Sequence, residues 1–159
     1  MNAPAVAILP ADVGAVAFFS TWPAESLAAI APHIRPAVSA AGDEIFAEKS
    51  PGDTMYFIKE GTVEIYRRQG PLDDTIALLH DGVTFGEMTF LDGSPRSAAA
   101  RAVTNVTAYA FDRAGYAALC ASAPHAGVQF LDGLLKILVE RLRQADYNIA
   151  VLYTAVKEL

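Results

Sequence analysis

Residues Phe85 to Ala102 read FGEMTFLDGSPRSAAARA and hold the polar side chains best spaced for chemistry in this sequence. Gly86 and Glu87 open a short stretch without strand character, and Pro95, Arg96 and Ser97 close it back into a strand. Glycine lets the backbone approach a ligand closely, and successive N–H groups at the start of a helical turn form an anion site. Arg96 then enters the interior at the head of an alanine-rich strand. A guanidinium is costly to bury unless an anion satisfies its donors, and a phosphate matches its planar fork. Ser97 adds a hydroxyl beside it. Glu87 is a lone carboxylate that either accepts a hydrogen bond from a sugar hydroxyl or pairs with Arg96 in an empty site.

Elsewhere no catalytic pattern assembles. His33, His80 and His125 are far apart and lack metal-ligand spacing, and no HExxH, GxSxG or GKS/T sequence occurs, so no catalytic residue, metal or cofactor is expected. Asp73-Asp74 stands beside Gly70 and Pro71 and reads as a solvated turn. Twelve Lys plus Arg against 18 Asp plus Glu, a net charge of −6, argue against a basic footprint for nucleic acid or an anionic membrane. Cys120 is the one cysteine, so no intramolecular disulfide is available; it reads as a core residue of a protein in a reducing compartment. There is no positively charged secretory lead and no membrane-length apolar run, which points to the cytoplasm.

The elements that must hold this loop are legible from turn spacing. A chain of 159 residues, 53% apolar, has the length and composition for one packed domain and not for disorder. Gly42, Gly52, Gly61, Gly70, Gly82 and Gly93 recur every 9–12 residues, the cadence of a β sandwich or barrel. Between them lie strand-length runs: Glu44 to Ala47, Thr54 to Lys59, Thr62 to Arg68, Thr75 to Leu79, Ser97 to Val103 and Val106 to Phe111. Ser97 to Val103 is alanine-rich, yet Pro95 and Thr104-Asn105 bound it as a strand. A short helix is expected over Ser26 to Ile34, and Asp112 caps a second that stops before Pro124.

The most regular feature is C-terminal. Val128, Leu131, Leu135, Leu138, Leu142, Ala145, Ile149, Leu152, Val156 and Leu159 alternate in steps of three and four. Ten apolar residues at ten such positions would arise by chance in about 0.01 of cases over all registers, so the pattern is a real stripe. An unpartnered helix drifts about 20° per heptad from such a stripe, so its persistence predicts a supercoiled partner helix and a homodimer. Packing of this helix on its own barrel is the alternative, and Phe130, Leu134 and Ile137 supply a second apolar face for it.

These residues resemble the cyclic nucleotide-binding domain shared by catabolite-activator-type regulators, kinase regulatory subunits and gated channels. The likeness covers about residues 20 to 145 and is carried by Phe85, Gly86, Glu87, Met88, Leu91, Pro95, Arg96, Ser97 and Ala98, with Gly52-Asp53, Tyr56-Phe57-Ile58, Gly61 and Val63 at the family's spacing. Thr89 and Phe90 depart from the family's small residue and leucine. The resemblance implies a mainly β fold with flanking helices, a double-stranded β-helix (jelly-roll) barrel plus a long C-terminal helix. It divides the chain into a lead segment 1–20, a barrel 21–122 and a lid and dimerisation helix 123–159. It further implies a non-enzymatic receptor for cAMP, in preference to cGMP, in which Arg96 binds the cyclic phosphate and Glu87 the ribose 2′-hydroxyl. Gly86 and the Met88 amide would meet the sugar-phosphate edge, and Ser97 the phosphate or the purine. The C-terminal helix would cap the base with one of Arg141, Arg143, Gln144, Asp146 or Asn148 and signal by moving to an effector protein not identified by the sequence. Two alternatives stand beside this: a dimerisation module of the same fold that binds no nucleotide, and a truncated DNA-binding regulator. Because the sequence stops inside the heptads, DNA binding by this chain is not expected.

Overall fold

A computed structural model describes residues 8–157 other than Pro71; residues 1–7 of the lead segment, Pro71 and the last heptad residue Leu159 lie outside the described residues. Among the described residues eight strands are seen where six were expected: β1 Arg35–Ser39, β2 Glu44–Phe46, β3 Thr54–Glu60, β4 Val63–Gln69, β5 Leu72–Leu79, β6 Thr84–Phe85, β7 Ala99–Ala102 and β8 Val106–Asp112. They form two four-stranded antiparallel sheets in the orders β1-β8-β3-β6 and β2-β7-β4-β5, a jelly-roll sandwich. Helices α1 Pro10–Gly14, α2 Ala24–Ile30, α3 Glu87–Asp92, α4 Arg113–Ser122 and α5 Pro124–Lys157 complete it.

Two apolar clusters hold the layers. Between the sheets lie Ile58, Val63, Phe85, Ala100, Ala102, Val106 and Ala108, whose small alanines let β7 and β8 approach their neighbours closely. Outside the first sheet a larger cluster joins the helices to Met55, Phe57, Tyr109 and Phe111. Its centre is aromatic: Phe130 of α5 packs against Phe111 at 5.0 Å, Tyr116 at 5.6 Å and Phe90 of α3 at 5.9 Å between ring centroids. Val13, Val16 and Phe19, from the segment set apart as a lead, are buried in the same cluster. The edge-to-face pairs, Phe130 with Phe111 and with Phe90, add to the stabilisation from the area they bury.

The departures from the sequence reading have local causes. β1 was not among the expected strands; it contains Pro36 and lies at a sheet edge, where proline is tolerated. Asp73 and Asp74, read as a solvated turn, belong instead to β5 and pair across to Arg68 and Arg67. Asp73 also accepts from Arg101 at 2.7 Å. Ala99–Ala102 is a strand despite its helical propensity because β2 and β4 flank it on both sides. Asp112 caps α4 as expected, accepting from the Gly115 amide at 2.7 Å. Cys120 is only half-buried; it sits against Gly127, where an added Cβ would fall 2.6 Å from its Sγ, so α4 and α5 cross closely there.

Helix α5 changes character along its length. Ala126, Gly127, Phe130 and Leu134 are buried on the domain, and Leu131 and Leu138 pack partly against the same core. From Leu142 to Lys157 every residue is exposed, so no residue of the helix beyond Arg141 is buried in the core. No helix among the described residues is long and apolar enough to cross a membrane.

The loop from β2 to β3 carries one strained position. Lys49 has φ of 64°, the left-handed region that L side chains disfavour, and it is held there because its amide donates to the Arg96 carbonyl at 2.8 Å. Lys49→Gly should therefore raise stability by about 0.5–1 kcal/mol after glycine's greater unfolded-state entropy is counted. Thermal unfolding checks it, with a rise of about 2–4 °C per kcal/mol expected for a chain of this size.

Candidate functional site

A cavity of about 540 Å³ opens between the second sheet, α3 and the middle of α5. All seven residues expected at the ligand line it: Phe85, Gly86, Glu87, Met88, Arg96, Ser97 and Ala98. Of the five candidates on α5, Arg141, Gln144 and Asn148 reach it, while Arg143 and Asp146 are not among its walls. Ala145, a heptad position, also lines it.

Arg96 occupies the inner end and is only 5% exposed. Its Nη1 donates to the Gly86 carbonyl at 3.1 Å and its Nη2 to the Thr54 carbonyl at 2.7 Å, while Nε is buried without a partner. The guanidinium lies over the Phe46 ring, 4.1 Å from its centroid. Desolvation by burial pushes its pKa below the ordinary value, against the pull of Tyr56, Asp53 and Glu87. No carboxylate forms an ion pair with it among the described residues. A buried cation that has carbonyl partners but no counter-ion is destabilising by itself and is relieved by an anion.

Two glycines make room for it. A Cβ at Gly52 would lie 2.8 Å from Nη2 and 2.9 Å from Nε, and one at Gly86 would lie 2.8 Å from Nη1. Gly86 also takes φ of 79° as the N-cap of α3, where a side chain would be strained. The Arg96 main chain is fixed from both directions, its amide donating to Ser50 and its carbonyl accepting from Lys49.

Glu87 is buried, but its partner is not the one expected for an empty site. Arg141 of α5 donates to the Glu87 carboxylate through Nη1 and to the Thr84 carbonyl through Nη2, and no Glu87–Arg96 pair forms. The fold accounts for this: α5 crosses the cavity and brings a guanidinium to Glu87, while Arg96 points at backbone carbonyls. Ser97 is exposed, its hydroxyl 3.8 Å from the Met88 sulfur. Ile65, Ile76, Ala77, Leu79 and Val83 give the opposite wall an apolar surface.

Sequence reasoning placed the loop residues and missed the walls. Gly52 was noticed only for its spacing, and Phe46 and Arg67 were not singled out. Inward alternation along β4 was the available signal for Arg67, since Val63, Ile65 and Arg67 share one face of that strand.

Comparison with known proteins agrees with this geometry. The profile of the cyclic nucleotide-binding domain matches residues 38–123. A CRP-like cAMP-activated global transcriptional regulator of Mycobacterium tuberculosis is 32% identical over 126 residues, 79% of this chain and 54% of that protein. A cyclic AMP receptor protein of Thermus thermophilus is 36% identical over 112 residues, 70% of this chain and 50% of that protein. The chain thus spans about half the length of these relatives. The crystal structure of the Thermus thermophilus catabolite activator protein superposes with a TM-score of 0.73 at 31% identity, covering 85% of this chain and 62% of that one. A cyclic nucleotide-binding domain from Methylobacillus flagellatus shares the fold, with a TM-score of 0.81 at 23% identity over 91% and 85% of the two chains. With a fold, a cassette and a profile that coincide over the barrel, this chain belongs to the cyclic nucleotide-binding domain family.

Proposed function

We propose that this chain is a non-enzymatic receptor module for a purine 3′,5′-cyclic mononucleotide, with cAMP the first ligand to test because the relatives named above are cAMP-responsive. The observation that carries the reading is the Arg96 guanidinium, buried without a counter-ion at the end of a cavity large enough for such a ligand. The cyclic phosphate takes the free Nε and the remaining donors of Arg96, beside the Ser97 hydroxyl and the Gly86 backbone. The ribose 2′-hydroxyl donates to Glu87. The base lies along the apolar wall of β4 and β5, with Met88, Gln144 and Asn148 facing it.

Glu87 also bonds Arg141, so a ligand at Glu87 acts on the one charged tie between the cassette and α5 among the described residues. A change in that contact biases where α5 sits, and this is how occupancy would be transmitted. The output surface is α5 itself, as seam of a homodimer. Val128, Leu135, Leu142, Ile149, Leu152 and Val156 are between 59% and 69% exposed, although their spacing calls for a partner helix. Leu131 and Leu138, turned partly to the domain, would join both surfaces. The effector would be another polypeptide that reads the dimer. A dimerisation module that binds no nucleotide remains the second reading, since the same exposed stripe supports it.

Calorimetric titration with cAMP and then cGMP at fixed salt tests the receptor reading: micromolar or tighter binding is expected, and no heat and no thermal shift at millimolar ligand would leave the silent module. Arg96→Ala should weaken binding by about 2–5 kcal/mol, roughly thirty-fold to several thousand-fold, with the barrel still folded by circular dichroism. Gly52→Ala should weaken it in the same direction by displacing the guanidinium, and an unaltered affinity would remove Gly52 from the site. Sedimentation of Leu135→Asp and Leu142→Asp should give monomers; dimers in both cases would exclude the α5 seam.

A further inference from the structure

Arg67 lines the ligand cavity from β4, and the reading above gives it no role. Its Nε donates to the Ser97 carbonyl at 3.1 Å, which sets the guanidinium beside the residue that follows Arg96. Asp74 stands opposite it in cross-strand register, yet Arg67 forms no ion pair with that or any other carboxylate among the described residues. Its terminal nitrogens are therefore open to solvent and to whatever enters the cavity. Next to it, Ile65, Ile76, Ala77 and Leu79 present an apolar wall. A flat apolar surface ending in a fork of donors suits an aromatic ring with adjacent acceptors on its edge.

The two purines differ at that edge. Guanine presents N7 and O6, both acceptors, whereas adenine presents the N7 acceptor beside the N6 amino donor. A guanidinium has donors only, so it satisfies both groups of guanine and opposes the amino group of adenine. On the α5 side the polar groups are Gln144 and Asn148, whose side chains bond each other at 3.0 Å. Amides carry both donor and acceptor and serve either base, so they do not choose. Arg141 is occupied by Glu87 and the Thr84 carbonyl.

We propose that Arg67 reads the O6/N7 edge of guanine, so that the pocket takes cGMP as well as cAMP and the choice between them is made on the barrel wall and not on the capping helix. The proposal rests on the cyclic-nucleotide reading above.

The test is titration of the full chain and of Arg67→Ala and Arg67→Lys with cAMP and cGMP at one salt concentration, each protein checked for an unchanged thermal midpoint. In the unsubstituted protein cGMP should bind within about tenfold of cAMP. Arg67→Ala should weaken cGMP about tenfold or more, inside the range of a bidentate base contact, and cAMP less than about threefold. Arg67→Lys keeps the charge without the fork and should recover only part of the loss. Equal losses for both purines, or no loss for either, would overturn the assignment while leaving the receptor reading intact. Tighter binding of a doubly charged cyclic dinucleotide than of either mononucleotide, abolished in Arg67→Ala, would overturn it in favour of a second phosphate contact. If neither mononucleotide binds the unsubstituted protein, the receptor reading itself fails.

Discussion

A buried guanidinium without a counter-ion is the constraint around which the rest of this structure is arranged. Arg96 would be intolerable in a generic sandwich interior, where a charged group must be paired or hydrogen-bonded. Here two backbone carbonyls, the face of Phe46 and the space left by Gly52 and Gly86 hold it in one orientation. Those supports come from three separate stretches of chain: Phe46 at the end of β2, Gly52 and Thr54 around the start of β3, and Gly86 before α3. The loop geometry, including the strained Lys49, is subordinate to placing this one side chain.

The second organising contact is aromatic. Phe90 lies in the cassette helix α3 and Phe130 near the start of α5, and both pack with Phe111 of β8 and Tyr116 of α4. Dense, interdigitated packing of this kind ties the position of α3 to that of α5 through shared ring contacts. On the opposite side of the cavity Arg141 ties α5 to Glu87 and to the β6 strand. The long helix is thus anchored at two points, one apolar and one ionic; beyond them Gln144, Ala145 and Asn148 still face the cavity, and every residue from Leu142 to Lys157 is exposed.

A second polar network, whose residues do not line the cavity, ties together the strands of the second sheet. Arg101 donates to Glu64 at 2.6 Å and to Asp73 at 2.7 Å, and its guanidinium lies over the ring of Tyr66, whose hydroxyl donates to Glu44 at 2.8 Å. The hydrogen bonds from Thr75 and Arg101 hold the Glu64 carboxyl below its ordinary pKa, against the opposing effect of burial. These contacts join β2, β4, β5 and β7 across one face and leave the apolar, inward alternation of β4 to form the cavity wall.

The sequence by itself determined the class of fold, the cassette and the heptad helix. Glycine cadence, strand-length apolar runs and a stripe of period 3.5 are local periodicities, and local periodicity survives in a linear sequence. Phe85, Gly86, Glu87, Met88, Arg96, Ser97 and Ala98 were legible for the same reason, since they lie within one short segment. Only the tertiary structure decided what meets them. Glu87 and Arg141 are 54 residues apart, and Arg96 and Thr54 are 42 apart; no propensity or spacing rule predicts that such pairs meet. The Asp73-Asp74 pair carried a strong local turn signal that cross-strand pairing overrode. The heptads likewise specify an apolar stripe but not its use. Folding turns Leu131 and Leu138 partly to the domain and Ala145 to the cavity, while the neighbouring stripe stays exposed, because the direction in which α5 leaves the core is set by how Phe130 and Leu134 pack beneath it.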